Sequence, residues 1–426
     1  MLDDKTANAL MDAVDEGFGG QISQTADLVR FPSTRGAEAP AQDFMAGQMR
    51  DRGLDVDRFK VDIDEIRHWP GFSPVHVDYD NAWNVVGSRR VANPKGRSLI
   101  LNGHIDVVPA GPLDMWSTPP FEPRIENGWL YGRGSGDMKA GLMACLAAMD
   151  AVERAGFALT ADVFVQSVVE EECTGNGALA CLARGYKADA ALIPEPQNQG
   201  MIRAQIGVIW FQVKVRGIPV HVADAGEGAN AIEAAYTVMQ ALHELEHEWN
   251  SRKDQYPPYE TVDHPINLNV GRIEGGDWAS SVPAWCTFDV RVAIYPGQDI
   301  AEAKREIEET VRLASRRNAF LQNNPPQIVY NGFEAEGYIL KDAEEPVELL
   351  AKSHRRVFGE TLKETACTAT TDARFFGLYA DTPALVYGPI SEMIHGFDER
   401  VSLDSLLGVT KAMTLFLADW CGVEET

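Results

Sequence analysis

The chain has 426 residues, with 38 Lys+Arg against 63 Asp+Glu, and a formal net charge of −25 at pH 7. So acidic a surface repels phosphate backbones and anionic lipid, which argues against a general nucleic-acid or membrane-surface binder. Hydrophobic residues make up 45% of the chain, enough for a large core and too many for a disordered protein, and the length allows two or three domains.

In chain order, residues 22–52 predict helix broken by Pro32 and Pro40. SLILNGHIDVVP (98–109) predicts a buried strand ended at Asn102-Gly103. DMKAGLMACLAAMDAVERAG (137–156) predicts an amphipathic helix, capped by Asp137 and closed by Gly156. ADVFVQSVV (161–169) and ADAALIPEP (188–196) predict two further buried strands. The first runs into Glu170-Glu171-Glu172 and the second ends at Glu195. Strands alternating with helices imply an α/β fold with a mostly parallel, helix-covered sheet.

Near residue 205 the period changes. Segments 204–217, 266–276 and 285–297 alternate as half-exposed strands, 229–250 and 298–317 read as helices, and 326–330 as a further strand. An α+β domain inserted into the first is the economical reading, with a catalytic domain over 1–207 and 326–426 and an insert over 208–325. No run approaches the ~18 apolar residues that span a bilayer. The opening MLDDKTANALMDAVDEGF carries no basic or apolar signal segment. The cysteines, at 145, 173, 181, 286, 367 and 421, form no C-x-x-C pair. Neither a disulfide framework nor a Cys-type zinc site is expected, and a cytoplasmic location is.

The chemistry gathers at strand ends, where α/β proteins carry their sites. His104 and Asp106 form H-x-D, Asp137 opens a helix, Glu171 and Glu172 follow one strand, Glu195 ends another, and His395 lies in SEMIHGFDER. Imidazoles and carboxylates in this number suit a zinc, cobalt or manganese hydrolase. Taken singly, each has an ordinary explanation as a cap or a solvated face. The Glu170-Glu171-Glu172 run is harder to set aside, because carboxylates closing a buried strand need a metal or a buried partner. His243-Glu244-Leu245-Glu246-His247 matches H-E-x-x-H, but it stands on a polar helix of the insert and reads as an amphipathic face. No phosphate loop and no G-x-S-x-G nucleophile elbow occurs.

These runs resemble the M20 family of metallopeptidases and deacylases, in its acetylornithine deacetylase/succinyl-diaminopimelate desuccinylase branch. The matching stretches are NGHIDVVP (102–109), YGRGSGDMKAG (131–141), VVEEECTGNG (168–177), IPEP (193–196), GIPVHVADAGEGANAIE (217–233), TDARFF (371–376) and MIHGFDERV (393–401). The resemblance implies two divalent metal ions per subunit, with zinc the default and cobalt or manganese alternatives. His104 and Glu195 would hold one ion, Glu172 and His395 the other, and Asp137 would bridge them. It further implies Asp106 hydrogen-bonded to His104, Glu171 as general base, His221 as a donor reaching the partner's site in a homodimer, and Arg374 as anchor for a substrate carboxylate. The activity so implied is hydrolysis of an N-acyl amino acid. A dipeptidase or carboxypeptidase using the same centre on a short peptide is the alternative, and a non-catalytic binding protein is less favoured. Thr370-Thr371 and Ser280-Ser281 depart from the family pattern near substrate-facing loops, which leaves the acyl group open.

Overall fold

The computed structural model describes residues 2–426. Its central sheet has the strand order Asp55–Lys60, Trp83–Arg89, Val163–Val168, Leu99–His104, Ala190–Ile193, Ala384–Val386. The last four run parallel, and the first two form an antiparallel edge. Every residue of Val163–Val168, Leu99–His104 and Ala190–Ile193 is buried, as expected of parallel strands covered on both faces. Helices Asp4–Val29, Ala140–Arg154 and Leu403–Cys421 pack on one another beside this sheet. Because the parallel strands share one direction, His104, Glu170-Glu171-Glu172 and Glu195 all emerge at their C-terminal ends.

A second sheet is wholly antiparallel, in the order Leu268–Gly275, Trp285–Ile294, Gly207–Arg216, Gln327–Ala335. Helices Ala231–Asn250 and Ile300–Ser315 belong with it, and together they bury a separate apolar cluster drawn from Ala204 to Ala335. Gln327–Ala335 follows the stretch read from sequence as the insert, yet it pairs with Gly207–Arg216 over Val208–Lys214. Among the described residues, no helix is long and apolar enough to cross a membrane.

The H-E-x-x-H segment lies on Ala231–Asn250 and its acids are engaged in packing that helix. Glu246 accepts Leu268 N at 2.8 Å and lies 2.9 Å from His243 Nδ1 and 3.0 Å from His264 Nε2. Glu244 pairs with Arg317 at 2.8 Å.

Helix Ala140–Arg154 approaches the end of Ala190–Ile193 so closely that a Cβ on Gly141 would lie 2.0 Å from the Pro194 carbonyl oxygen. Gly141→Ala should therefore force helix and strand apart, at a cost of about 1–3 kcal/mol for overpacking. A lowered urea midpoint with unchanged slope is the expected result.

Candidate active site

Asp137 gives up the helix predicted to start on it. Ser135–Lys139 forms a wider turn in which Asp137 has φ −119 and ψ 97, and the regular helix begins at Ala140. Asp137 caps nothing by its side chain, since the regular helix starts three residues later. Glu399, 1% exposed, takes the N–H groups of Gly134, Gly136 and Asp137 at 2.9–3.0 Å and pairs with Arg133 at 2.6 Å. The Asp137 carboxylate faces two imidazoles, 3.1 Å from His104 Nε2 and 3.4 Å from His395 Nε2.

His395 Nε2 also lies 3.1 Å from Glu172. His104 Nε2 is 3.9 Å from Glu171 and 3.8 Å from Glu195. Thus His104, Asp137, Glu171, Glu172, Glu195 and His395, scattered over almost 300 residues of sequence, converge at one point. Ligand atoms of His104, Glu171 and Glu195 lie within 4.8 Å of one another, as do those of His104, Asp137 and Glu172.

Asp106 is hydrogen-bonded to His104 through its backbone: His104 Nδ1 donates to the Asp106 main-chain carbonyl at 2.9 Å, and the Asp106 carboxylate stands 3.7 Å away. That carbonyl can only accept, so it fixes a proton on Nδ1 and makes Nε2 the nitrogen turned to the acids. The Asp106 carboxylate accepts the amides of Glu171 at 3.3 Å and Glu172 at 3.1 Å. One residue therefore orients the imidazole with its backbone and the glutamate pair with its side chain.

Glu170, the first acid of the run, has its own partner. Arg35 grips it through two bonds of 2.5 and 2.7 Å, Tyr79 donates to it, and Thr174 donates at 2.9 Å. With φ +70 it turns the chain so that Glu171 and Glu172 face the other way.

Charge decides what the cluster can hold. Burial, reinforced by neighbouring carboxylates, pushes Glu171 and Glu195 well above the usual carboxylate range, although His104 opposes the shift. Burial works against a charged His104, but Asp137, Glu195 and Glu171 overcome it and raise its pKa. Hydrogen bonds to Asp137 and Glu172 push His395 up to about 10. The group is thus short of positive charge, and it collects protons to make up the deficit. A divalent cation on the same oxygen and nitrogen atoms removes that deficit, so this donor set fits such an ion.

Two expected residues lie elsewhere. His221 is exposed on the insert, where its Nδ1 accepts Ala223 N at 3.1 Å and its backbone bridges to Ser281. Arg374 is 1% exposed. It donates to the main-chain carbonyl of Thr174 at 2.8 Å, packs 3.8 Å over the Phe375 ring, and has Asp372 and Glu171 among the carboxylates acting on it. Arg291, not singled out from the sequence, lines the cleft together with Arg35 and Arg272, which are paired with Glu170 and Glu274. A cavity of about 660 Å³ runs from Asp106 and Glu172 to the insert's Trp210, Asn269 and Arg291. Arg291 donates only to the carbonyls of Asn267 and Thr368, at 3.2 and 3.4 Å. Its signal was the alternation of WCTFDVRVAIYPG, which turns Asp289 and Arg291 to one face of their strand.

Fold and site together define a metal-dependent hydrolase of the split α/β type. Residues 100–419 match the model of peptidase family M20/M25/M40, and the chain belongs to that family as a metal-dependent amidohydrolase of linear amides. It is 33% identical over 369 residues to the N-formyl-4-amino-5-aminomethyl-2-methylpyrimidine deformylase of Halalkalibacterium halodurans, covering 82% of this chain and 85% of that one. It is 32% identical over 411 residues to the Bacillus subtilis (strain 168) protein of the same name, covering 92% and 91%. Among solved structures, the Saccharomyces cerevisiae dipeptidase Dug1p superposes with a TM-score of 0.80 at 16% identity, over 97% of this chain and 98% of that one. Human carnosine dipeptidase 1 does so with 0.77 at 14%, over 97% and 99%. At such identities the two structures speak for the fold alone.

Asp106→Ala should leave the backbone bond to His104 intact while releasing the Glu171 and Glu172 amides. Activity or metal affinity should fall about 10–100-fold, the usual effect of losing a group that orients a ligand, and Asp106→Asn should recover part of it. Steady-state kinetics with metal titration checks this, and full activity in the alanine variant would contradict it.

Proposed function

We propose that this protein removes a short acyl group from an amine, with N-acyl amino acids as the first substrate class, through a dinuclear metal centre. The observation that carries the reading is the convergence of His104, Asp137, Glu171, Glu172, Glu195 and His395 at the end of one cavity. The two curated deformylases, at about a third identity over most of the chain, favour a deacylase over the dipeptidase alternative.

In this reading His104 and Glu195 would hold one ion and Glu172 and His395 the other, and Asp137 would serve both. Zinc is the default, and cobalt or manganese are alternatives. A bound divalent ion supplies Lewis acidity, polarising the amide carbonyl and acidifying water. Glu171 takes the proton of the attacking water. As the carbon–nitrogen bond breaks, it delivers that proton to the departing amine, leaving a free carboxylate and a free amine. Arg291 replaces Arg374 as anchor for a substrate carboxylate, because it lines the cavity and has only carbonyl partners.

We further propose that the insert extends to about residue 336, as the pairing of Gln327–Ala335 supports, and that it joins two copies in a homodimer. His221 of one copy would then donate to the carbonyl oxygen in the other copy's site. Cysteines that are all unpaired, most of them buried, suit a reducing cytoplasmic compartment.

Glu171→Gln keeps the size of the side chain and removes the base. It should lower kcat by about 10²–10⁴-fold with metal content unchanged, and turnover close to wild type would remove Glu171 from the mechanism. Mixing the Glu171→Gln and His221→Ala proteins should restore activity after subunit exchange, since one site of the mixed dimer is intact. No recovery after proven exchange would contradict action across a dimer. A panel of N-formyl, N-acetyl and N-succinyl amino acids against dipeptides tests the activity itself. Rapid dipeptide cleavage with inert acyl compounds would select the alternative.

A further inference from the structure

Trp210 is half-buried on the insert strand Gly207–Arg216, in the wall of the cavity that ends at Asp106 and Glu172. The strand pairing is irregular there. Ile209 faces Glu334 and Phe211 faces Tyr330, so residues 331–333 stand opposite Trp210 alone. This bulge seats the indole. A Cβ on Gly332 would lie 2.6 Å from Trp210 Cε3, so the ring rests on a position that only glycine leaves open. Phe333 meets it edge-on at 5.3 Å and 86°. A large side chain held on two sides in this way presents a fixed aromatic face at little entropic cost to binding.

The surroundings say which part of a substrate would meet that face. Val107, Val108 and Pro109 follow directly on the His104–Asp106 turn and add apolar lining to the same cavity. Arg291 is the register partner of Trp210 on the neighbouring strand. The cavity therefore leads from the carboxylate cluster into a pocket with a rigid indole face, an apolar stretch and, among the described residues that line it, one arginine without an acid partner, Arg35 and Arg272 being paired with Glu170 and Glu274.

We propose that Trp210 determines specificity on the amine side of the scissile amide, selecting substrates whose amine half carries an aromatic ring. This rests on the reading of the site as an N-acyl amide hydrolase. An aromatic ring laid on the indole gains apolar burial and favourable ring–ring geometry together, whereas a methyl side chain reaches neither.

The test compares kcat/KM of the zinc-loaded enzyme for N-formylphenylalanine and N-formylbenzylamine with that for N-formylalanine and N-formylethylamine. Wild type should favour the ring-bearing member of each pair by about tenfold or more, and Trp210→Ala should lower that ratio about 10–100-fold, chiefly through KM. Trp210→Phe should restore most of the ratio. Gly332→Val, which dislodges the indole without removing it, should lower the ratio as well. A ratio unchanged in Trp210→Ala, or no preference in wild type, overturns the proposal. If the wild type hydrolyses none of these compounds, the deacylase reading fails and calorimetry with the product amines decides about Trp210 by itself. Tighter binding of benzylamine than of ethylamine, lost in Trp210→Ala, keeps the assignment, and equal binding of the two ends it.

Discussion

Carboxylates repel one another most strongly where water is thinnest, and this fold drives Asp106, Asp137, Glu171, Glu172 and Glu195 into one corner where His104 and His395 are the cations in direct contact with them among the described residues. Such an arrangement persists only if the backbone gives each acid no alternative. Around the cluster, charge-bearing groups hold peptide units instead of ligating atoms: Asp106 takes the amides of the glutamate pair, and Glu399 takes the amides before Asp137. The restraint is local, hydrogen-bonded and buried, so the ligating oxygens stay poised with their charges unsatisfied. A divalent cation is the species that relieves this strain, and amide hydrolysis is chemistry that such an ion supports.

The insert contributes to the site without supplying any of the clustered acids. It furnishes the cavity wall with Trp210 and Arg291, and it is tied to the glutamate loop through Ser73. That hydroxyl donates to the Thr174 carbonyl at 3.0 Å and accepts Glu334 N, on the insert strand, at 3.1 Å. Ser73 N and O also bond the Asn176 side chain, which reaches Tyr79 and so the Arg35–Glu170 pair. A displacement of strand Gln327–Ala335 would thus be felt at the turn that carries Glu171.

Much of this was legible in the sequence. Parallel strands buried on both faces appear as unbroken apolar runs, so Leu99–His104, Val163–Val168 and Ala190–Ile193 could be read directly, and with them the residues at their ends. What failed depended on contacts between distant segments. Glu399 holds Asp137 across 262 positions, and no local pattern joins the two. The division of labour within Asp106, backbone to the imidazole and carboxylate to two amides, follows from the positive-φ turn at Glu170, which composition does not reveal. Arg374 and Arg291 are both arginines near apolar residues. Only the fold shows one packed under Thr174 and the other open to the cavity. Gln327–Ala335 shows no regular alternation, so its sheet could not be chosen from its own residues.

The central claim is that the crowded carboxylates exist to hold divalent metal. Anomalous diffraction at the zinc edge, from crystals grown with zinc, tests it without reference to any substrate. The account predicts two zinc peaks in contact with the group formed by His104, Asp137, Glu172, Glu195 and His395. The absence of any peak there, or a peak confined to the His243–His247 face of the insert helix, would contradict it.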